Sequence, residues 1–266
     1  METDRFVAEY WIRNEGIMVS EDQKSCFDRI CCNIITGDRM RSQIGELSEK
    51  TVHSVLKNYF EPNPCFQEVK IGRYYADICR GNEIIEIQTA NFNRLREKLA
   101  AFLPDYQVTV VYPIPHIKYM IWVDENTGEL SDRRKSPKKG SYYQVFPELY
   151  KIKPFLKNPG LKLCLVLFDT EEYRLLNGWS KNRKRGSSRF DRLPLGLHDQ
   201  ITLETTWDYL QFVPFELEQF TSEEYARTIH VPRHQAGVIL NILNELNVVQ
   251  RIGKKGNAYI YQAIEP

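Results

Sequence analysis

No apolar run in these 266 residues approaches the length of a membrane span. The opening METDRFVAEY lacks the basic-then-apolar pattern of a secretory signal. Of the six cysteines, Cys31 and Cys32 are adjacent and the rest are scattered, with no CxxC pair and no Cys/His spacing. That argues against a zinc site and against a secreted disulfide framework, and makes a reducing cytoplasm the expected compartment. The chain has no internal repeat and no low-complexity segment. His53, His116, His198 and His230 keep no mutual spacing that suggests a metal site, so each is read as a surface or core-satisfied side chain. LPLGLHD resembles no nucleophile elbow, and Ser187 and Ser188 lack a local partner.

What is present reads as an ordinary globular chain, 42% hydrophobic and 27% charged, long enough for one large or two smaller domains. The net charge of +1 says little, because the basic residues cluster. RRKSPKKG (Arg133 to Gly140) and KNRKRGSSRFDR (Lys181 to Arg192) are either solvated loops or contacts for a polyanion. The second stretch has no evident place in the fold.

Ser20 can cap a helix over SEDQKSCFDRICCNII, and Ser48, with a Leu47–Val52 staple, a second over LSEKTVHSVLKNYF. Val52, Val55, Leu56 and Tyr59 give the second helix a core-facing stripe, with Glu49 on nearly the same azimuth. Short strands are expected around Gln67–Ile71, Tyr74–Cys79 and Glu83–Thr89. A helix then carries Phe92, Leu95, Leu99 and Phe102 on one face. YQVTVVYPI and KYMIWVD read as two strands, and LKLCLVLFDT as one more. This order predicts an α/β architecture, a mixed central sheet flanked by helices.

The stretch YYADICRGNEIIEIQT places carboxylates inside a mostly apolar hairpin, where they cost folding energy unless compensated. Glu86 and Gln88 share one strand face, and a four-residue loop at RGNE puts Asp77 opposite Glu86. Facing like charges repel, and a divalent cation reverses that sign. Asp77, Glu86 and the Ile87 carbonyl could form a half-cage, with Gln88 orienting a water or phosphate oxygen. A polar solvent face with no site would produce the same alternation.

A helix bearing Glu49, then Asp77, a short turn and Glu86-x-Gln88 resembles the PD-(D/E)XK nuclease superfamily (restriction endonuclease-like) over roughly Ser48 to Val123. The resemblance implies Mg²⁺ (or Mn²⁺) held by Asp77 and Glu86, Glu49 as an accessory acid, and hydrolysis of DNA phosphodiesters. Gln88 stands where the family carries lysine and Ala76 where it carries proline, so positive charge must come from elsewhere, with Lys118, Lys138 and Lys139 as candidates. A nuclease fold that binds DNA without cleaving it is the alternative.

From about Leu217 the pattern changes to helix, turn, helix and a β-hairpin with a basic tip. This resembles the winged helix-turn-helix family, which divides the chain into 1–216 and 217–266. Arg233, His234 and Gln235 would start a recognition helix whose core positions are Ala236, Val238, Ile239, Ile242 and Leu243. Lys254 and Lys255 would touch phosphate, as would Lys138 and Lys139 from the first basic loop. Tyr74, Tyr75, Tyr142 and Tyr143 are candidates for base stacking, with core packing the favoured alternative. The implied partner is double-stranded DNA with no membrane; a winged helix used for protein contact or for homodimerisation is the alternative.

Overall fold

The computed structural model describes residues 19–41, 50–177 and 188–264. Helix α1 (Glu21–Arg41) starts at Ser20, whose Oγ accepts from the Gln23 backbone N–H at 3.2 Å while the Gln23 side chain accepts from the Ser20 N–H at 2.9 Å. This reciprocal cap satisfies two donors that a helix start leaves unpaired. Helix α2 (Lys50–Phe60) follows; the expected Leu47 staple, Ser48 cap and Glu49 lie outside the described residues. Val52, Val55 and Leu56 are buried as their spacing predicts, and with Phe27 and Cys31 they cover one sheet face over Ile87, Val111, Val166 and Phe168.

Among the described residues that sheet has seven strands. β1 (Gln67–Ile71), β2 (Tyr74–Arg80) and β3 (Glu83–Ile87) run antiparallel in sequence. The turn between β2 and β3 is tighter than the expected loop: Arg80 pairs with Glu83, leaving only Gly81 and Asn82, with Gly81 at a left-handed φ of 57°. A 3₁₀ turn (Phe92–Arg94) and helix α3 (Leu95–Phe102) then cross to β4 (Gln107–Val123), parallel to β3. Leu95, Leu99 and Phe102 bury against the face opposite α1 and α2.

The two strands expected from YQVTVVYPI and KYMIWVD are one strand of 17 residues, irregular between Pro115 and Lys118. Its prolines shape the sheet. The Gln88 N–H donates to the Val111 carbonyl at 2.9 Å. In a parallel ladder the next N–H returned to β3 would come from residue 113, which is proline and has none. The β3–β4 ladder therefore stops there and the end of β3 is released. Farther along, β5 (Arg134–Lys135) pairs with Tyr119 and Met120, placing a short strand inside the expected basic loop.

The sheet ends with β6 (Leu161–Leu175), parallel to β4, and β7 (Ser188–Leu203), antiparallel at the edge. Residues 188–192 of the second basic stretch open β7, and 181–187 lie outside the described residues. Short helix α4 (Phe146–Leu149) precedes β6.

After the 3₁₀ segment Thr206–Phe212, β8 (Gln219–Thr221), α5 (Ser222–Thr228), α6 (Arg233–Glu245), β9 (Val249–Lys255) and β10 (Ala258–Ala263) form a three-stranded antiparallel sheet, β8-β10-β9, with two helices. Thr221 is the cap of α5, its Oγ1 accepting from the Glu224 N–H at 3.3 Å. Phe220, Tyr225, Ile239 and Leu243 belong to one apolar cluster with Ile84, Leu99, Phe146 and Leu165 of the larger sheet. The Tyr225 hydroxyl donates to the Phe212 carbonyl at 2.7 Å, and Lys153 bridges to Glu245 at 2.9 Å. The division expected at 216/217 does not separate two cores.

Candidate functional site

Where β3 ends, an open pocket of about 680 Å³ is walled by α2, β2, the turn after β3, and α3. Its polar side chains include His53, Lys57, Glu68, Asp77, Glu86 and Lys98. The β2–β3 ladder runs from Arg80 opposite Glu83 to Ile78 opposite Ile85, and one step beyond it stand Asp77 and Glu86. There a side chain takes over from the backbone: Asp77 Oδ2 accepts from the Ile87 N–H at 2.7 Å. His53 Nε2 lies 3.2 Å from the same oxygen. Burial pushes the Asp77 carboxyl up, but the His53 hydrogen bond and charge, the Ile87 N–H and the Lys98 charge together hold it below the usual carboxylate range.

Glu86 goes the other way. It is 2% exposed, and burial followed by the Asp77 charge raises its carboxyl to about 7, against the pull of Lys98 and of the Asp77 backbone. Near neutral pH the two acids thus share between one and two negative charges as a coupled pair. Lys98 Nζ donates to Glu86 Oε2 at 2.8 Å and to the Tyr75 carbonyl at 2.7 Å. Glu86 Oε1 is buried with no hydrogen-bond partner among the described residues. An orphaned carboxylate oxygen beside a second carboxylate is an unfavourable arrangement in a bare protein. A hard divalent cation takes such oxygens as ligands, so the residues present fit Mg²⁺ or Mn²⁺.

Of the other expected residues, Ile87 and Gln88 line the same pocket and the lysines lie elsewhere. Gln88 lines the pocket, but its amide donates to the Ala90 carbonyl, folding it back on its own turn. Ile87, whose carbonyl was the expected third ligand, also lines the pocket, and its N–H donates to Asp77. Lys118 lines a second cavity of about 260 Å³ together with Arg192, sharing the Thr89–Ala90 wall with the first. Lys138 and Lys139 are exposed outside both cavities, and the Lys139 charge acts on His116 instead.

At the start of α6, Arg233 and His234 are exposed, whereas the Gln235 amide donates to the Tyr143 carbonyl at 3.3 Å. Within α6 only Arg233, His234 and Gly237 are exposed, because the helix packs against the larger sheet's side of the molecule. The β9–β10 hairpin is more open: Lys254 and Lys255 are exposed, and Arg251 and Lys254 lie 4.4 and 5.0 Å from the Tyr259 ring centroid. Tyr142 is tied to Asp199 at 2.8 Å and Tyr143 is part-buried against Phe212, while Tyr75 is 54% exposed.

Two residues were missed by sequence reasoning. Lys98 occupies the buried stripe of its helix, three after Leu95 and four before Phe102, where a charged residue is unusual. His53 gave no such signal, since only the fold brings it to Asp77. The rim also holds Glu68 and Asn91, non-glycine residues at φ of 53° and 59°. Such left-handed backbone concentrates at functional sites.

A family model described as Domain of unknown function (DUF8091) matches residues 50–204, and the chain belongs to that family. The matched stretch contains every residue lining the first pocket and ends before the three-stranded sheet. An "Uncharacterized protein" of Treponema pallidum (strain Nichols) is 32% identical over 150 residues, covering 56% of this chain. The chain matches 57% of that relative's length. No solved structure matches.

Proposed function

We propose that this member of the DUF8091 family is a metal-dependent hydrolase of DNA phosphodiesters, with its centre in the Asp77–Glu86 pocket and DNA contacts from the basic hairpin of a winged-helix-like tail. The observation that carries this reading is the buried, unpartnered Oε1 of Glu86 beside a carboxylate held ionised. Asp77 and Glu86 would hold Mg²⁺ or Mn²⁺, which when bound polarises the phosphate and acidifies a water.

The remaining work belongs to the chain's own residues. His53 and the Ile87 N–H fix one Asp77 oxygen, so that acid presents a set orientation and charge. Lys98 supplies, from the neighbouring helix, the positive charge that Gln88 lacks, and it lies at the pocket wall within reach of a phosphate oxygen. Lys57 and Arg94 line the same pocket and add anion affinity. The acids lie at the carboxyl end of β3, where open α/β sheets place their ligands.

A second reading is a DNA-binding protein that no longer cleaves. It is favoured by Lys98 and Lys57 being engaged by Glu86 and Glu68 at 2.8 and 2.5 Å. Incubation of supercoiled and linear DNA with Mg²⁺ or Mn²⁺ separates the two. Cleavage that disappears in Asp77→Asn and Glu86→Gln supports the hydrolase, whereas salt-dependent binding with no cleavage supports the binding protein.

A further inference from the structure

We propose that His116, Asp169 and His198 form a second metal site, selective for a borderline transition ion of the Zn²⁺ class. It is distinct from the acidic pocket and does not depend on the hydrolase reading.

The three residues come together through irregularities in the sheet. The β4–β6 ladder slips between Pro115 and Lys118, setting His116 out of register. On the other side of β6, Leu167 pairs with Asp199 and Phe168 with Leu197, so His198 is the extra residue. A bulge re-aims the side chain of the residue it frees, and these two turn both imidazoles toward Asp169 on the strand between them. Each residue offers a ligand atom within 4.8 Å of the others.

Several details make this more than a chance meeting. The Asp169 carboxylate is already oriented, its Oδ1 accepting from the Ile117 N–H at 3.1 Å. A ligand anchored by an outer partner in this way has little freedom left to lose. His116 Nδ1 lies 3.4 Å from that oxygen, is shut off from solvent, and has no hydrogen-bond partner among the described residues. The two rings stack with centroids 3.7 Å apart and planes 18° apart. Stacked imidazoles cannot both be protonated without repulsion, so the stack favours the neutral rings. Neutral imidazole is the form that binds metal.

Two nitrogens and one carboxylate oxygen suit Zn²⁺ or Co²⁺ better than Mg²⁺, and they leave a fourth position open. His198 is exposed and can rotate out of the stack to bring both nitrogens to one ion. Lys139 is the opposing charge nearby, on a segment exposed to solvent.

The test uses the full chain carrying Glu86→Gln, so that the acidic pocket is disabled, after treatment with a chelator. Titration with Co²⁺ is followed by its visible d–d absorption, and Zn²⁺ is then added in competition. One equivalent of Co²⁺ displaced by Zn²⁺ is expected, with affinity reduced at least about tenfold by His198→Ala and by Asp169→Asn. His198 is exposed, so its replacement leaves folding intact even if His116→Ala does not. Absence of the absorption band, a band unchanged by His198→Ala, or thiolate charge-transfer bands marking cysteine ligation would each overturn the assignment.

Discussion

The Lys98 ammonium sits 2.8 Å from the buried carboxylate of Glu86, joining a helix on one face of the sheet to the end of β3. This pair holds the lysine in the pocket and pulls the acid toward its ionised form. Replacing Lys98 by Met leaves Glu86 without its cation, and its proton affinity rises further. If the pocket hydrolyses phosphodiesters, loss of one positioned cation is expected to lower kcat by about 10²–10³. Lys98→Arg should recover part of that loss, whereas a merely structural lysine would show no such split.

Stability should respond to Glu86 in a pH window set by its raised carboxyl. Its ordinary value is 4.5 and its folded value about 7, so the folded chain binds a proton that the unfolded chain releases. That contribution is complete below 4.5 and is lost as pH rises through about 7. Without divalent cations, Glu86→Gln should therefore match wild type near pH 4 and exceed it by roughly 1–3 kcal/mol at pH 8 in denaturant melts. A constant gap across that range would contradict the burial account.

Mg²⁺ or Mn²⁺ should raise Tm by linkage if the two acids ligate it. At a hundredfold excess over Kd the gain is about 2.7 kcal/mol, or roughly 5–10 °C for a chain of this size. Asp77→Asn should abolish the shift while leaving any Zn²⁺-induced shift in place.

The β9–β10 hairpin carries exposed Arg251, Lys254 and Lys255. If these meet phosphate, replacing Lys254 and Lys255 with Gln should weaken DNA binding equally across sequences and reduce the salt slope by about 1 per contact. Arg233→Gln at the start of α6 should have the smaller effect, since that helix offers few exposed positions.

Gly140 passes so close to β4 that a Cβ there would lie 2.1 Å from the Pro115 carbonyl oxygen, and its N–H donates to the His116 carbonyl at 2.8 Å. Gly140→Ala should cost about 2–4 kcal/mol by displacing backbone rather than a flexible side chain. A thermal melt measures this directly, and the Co²⁺ affinity of the adjacent histidines should fall with it.

How much of this was legible varies with the range of the interaction. The three short strands, the apolar stripes of α2 and α3 and the Ser20 cap follow from local periodicity and cap chemistry. β7 did not, because SRFDRLPLGLHDQITL mixes charge, proline and glycine, and only pairing with β6 makes it a strand. The Asp77–Glu86 relationship was readable from hairpin arithmetic even though the turn was taken as longer. His53, and the meeting of His116 with His198, were not readable, because they depend on contacts between residues far apart in sequence and on sheet irregularities. Lys98 was readable in principle, as a charge on an apolar stripe.

Prolines 113 and 115 carry a consequence beyond the shape of the pocket. Where β3 falls away, β4 would otherwise present an unpaired flank to solvent, the kind of exposed template that recruits a strand from another molecule. With Pro113 lacking the N–H for the next rung, such recruitment has no donor to start from. The opening beside the acids can stay accessible to a visitor of other chemistry without inviting fibrous self-association.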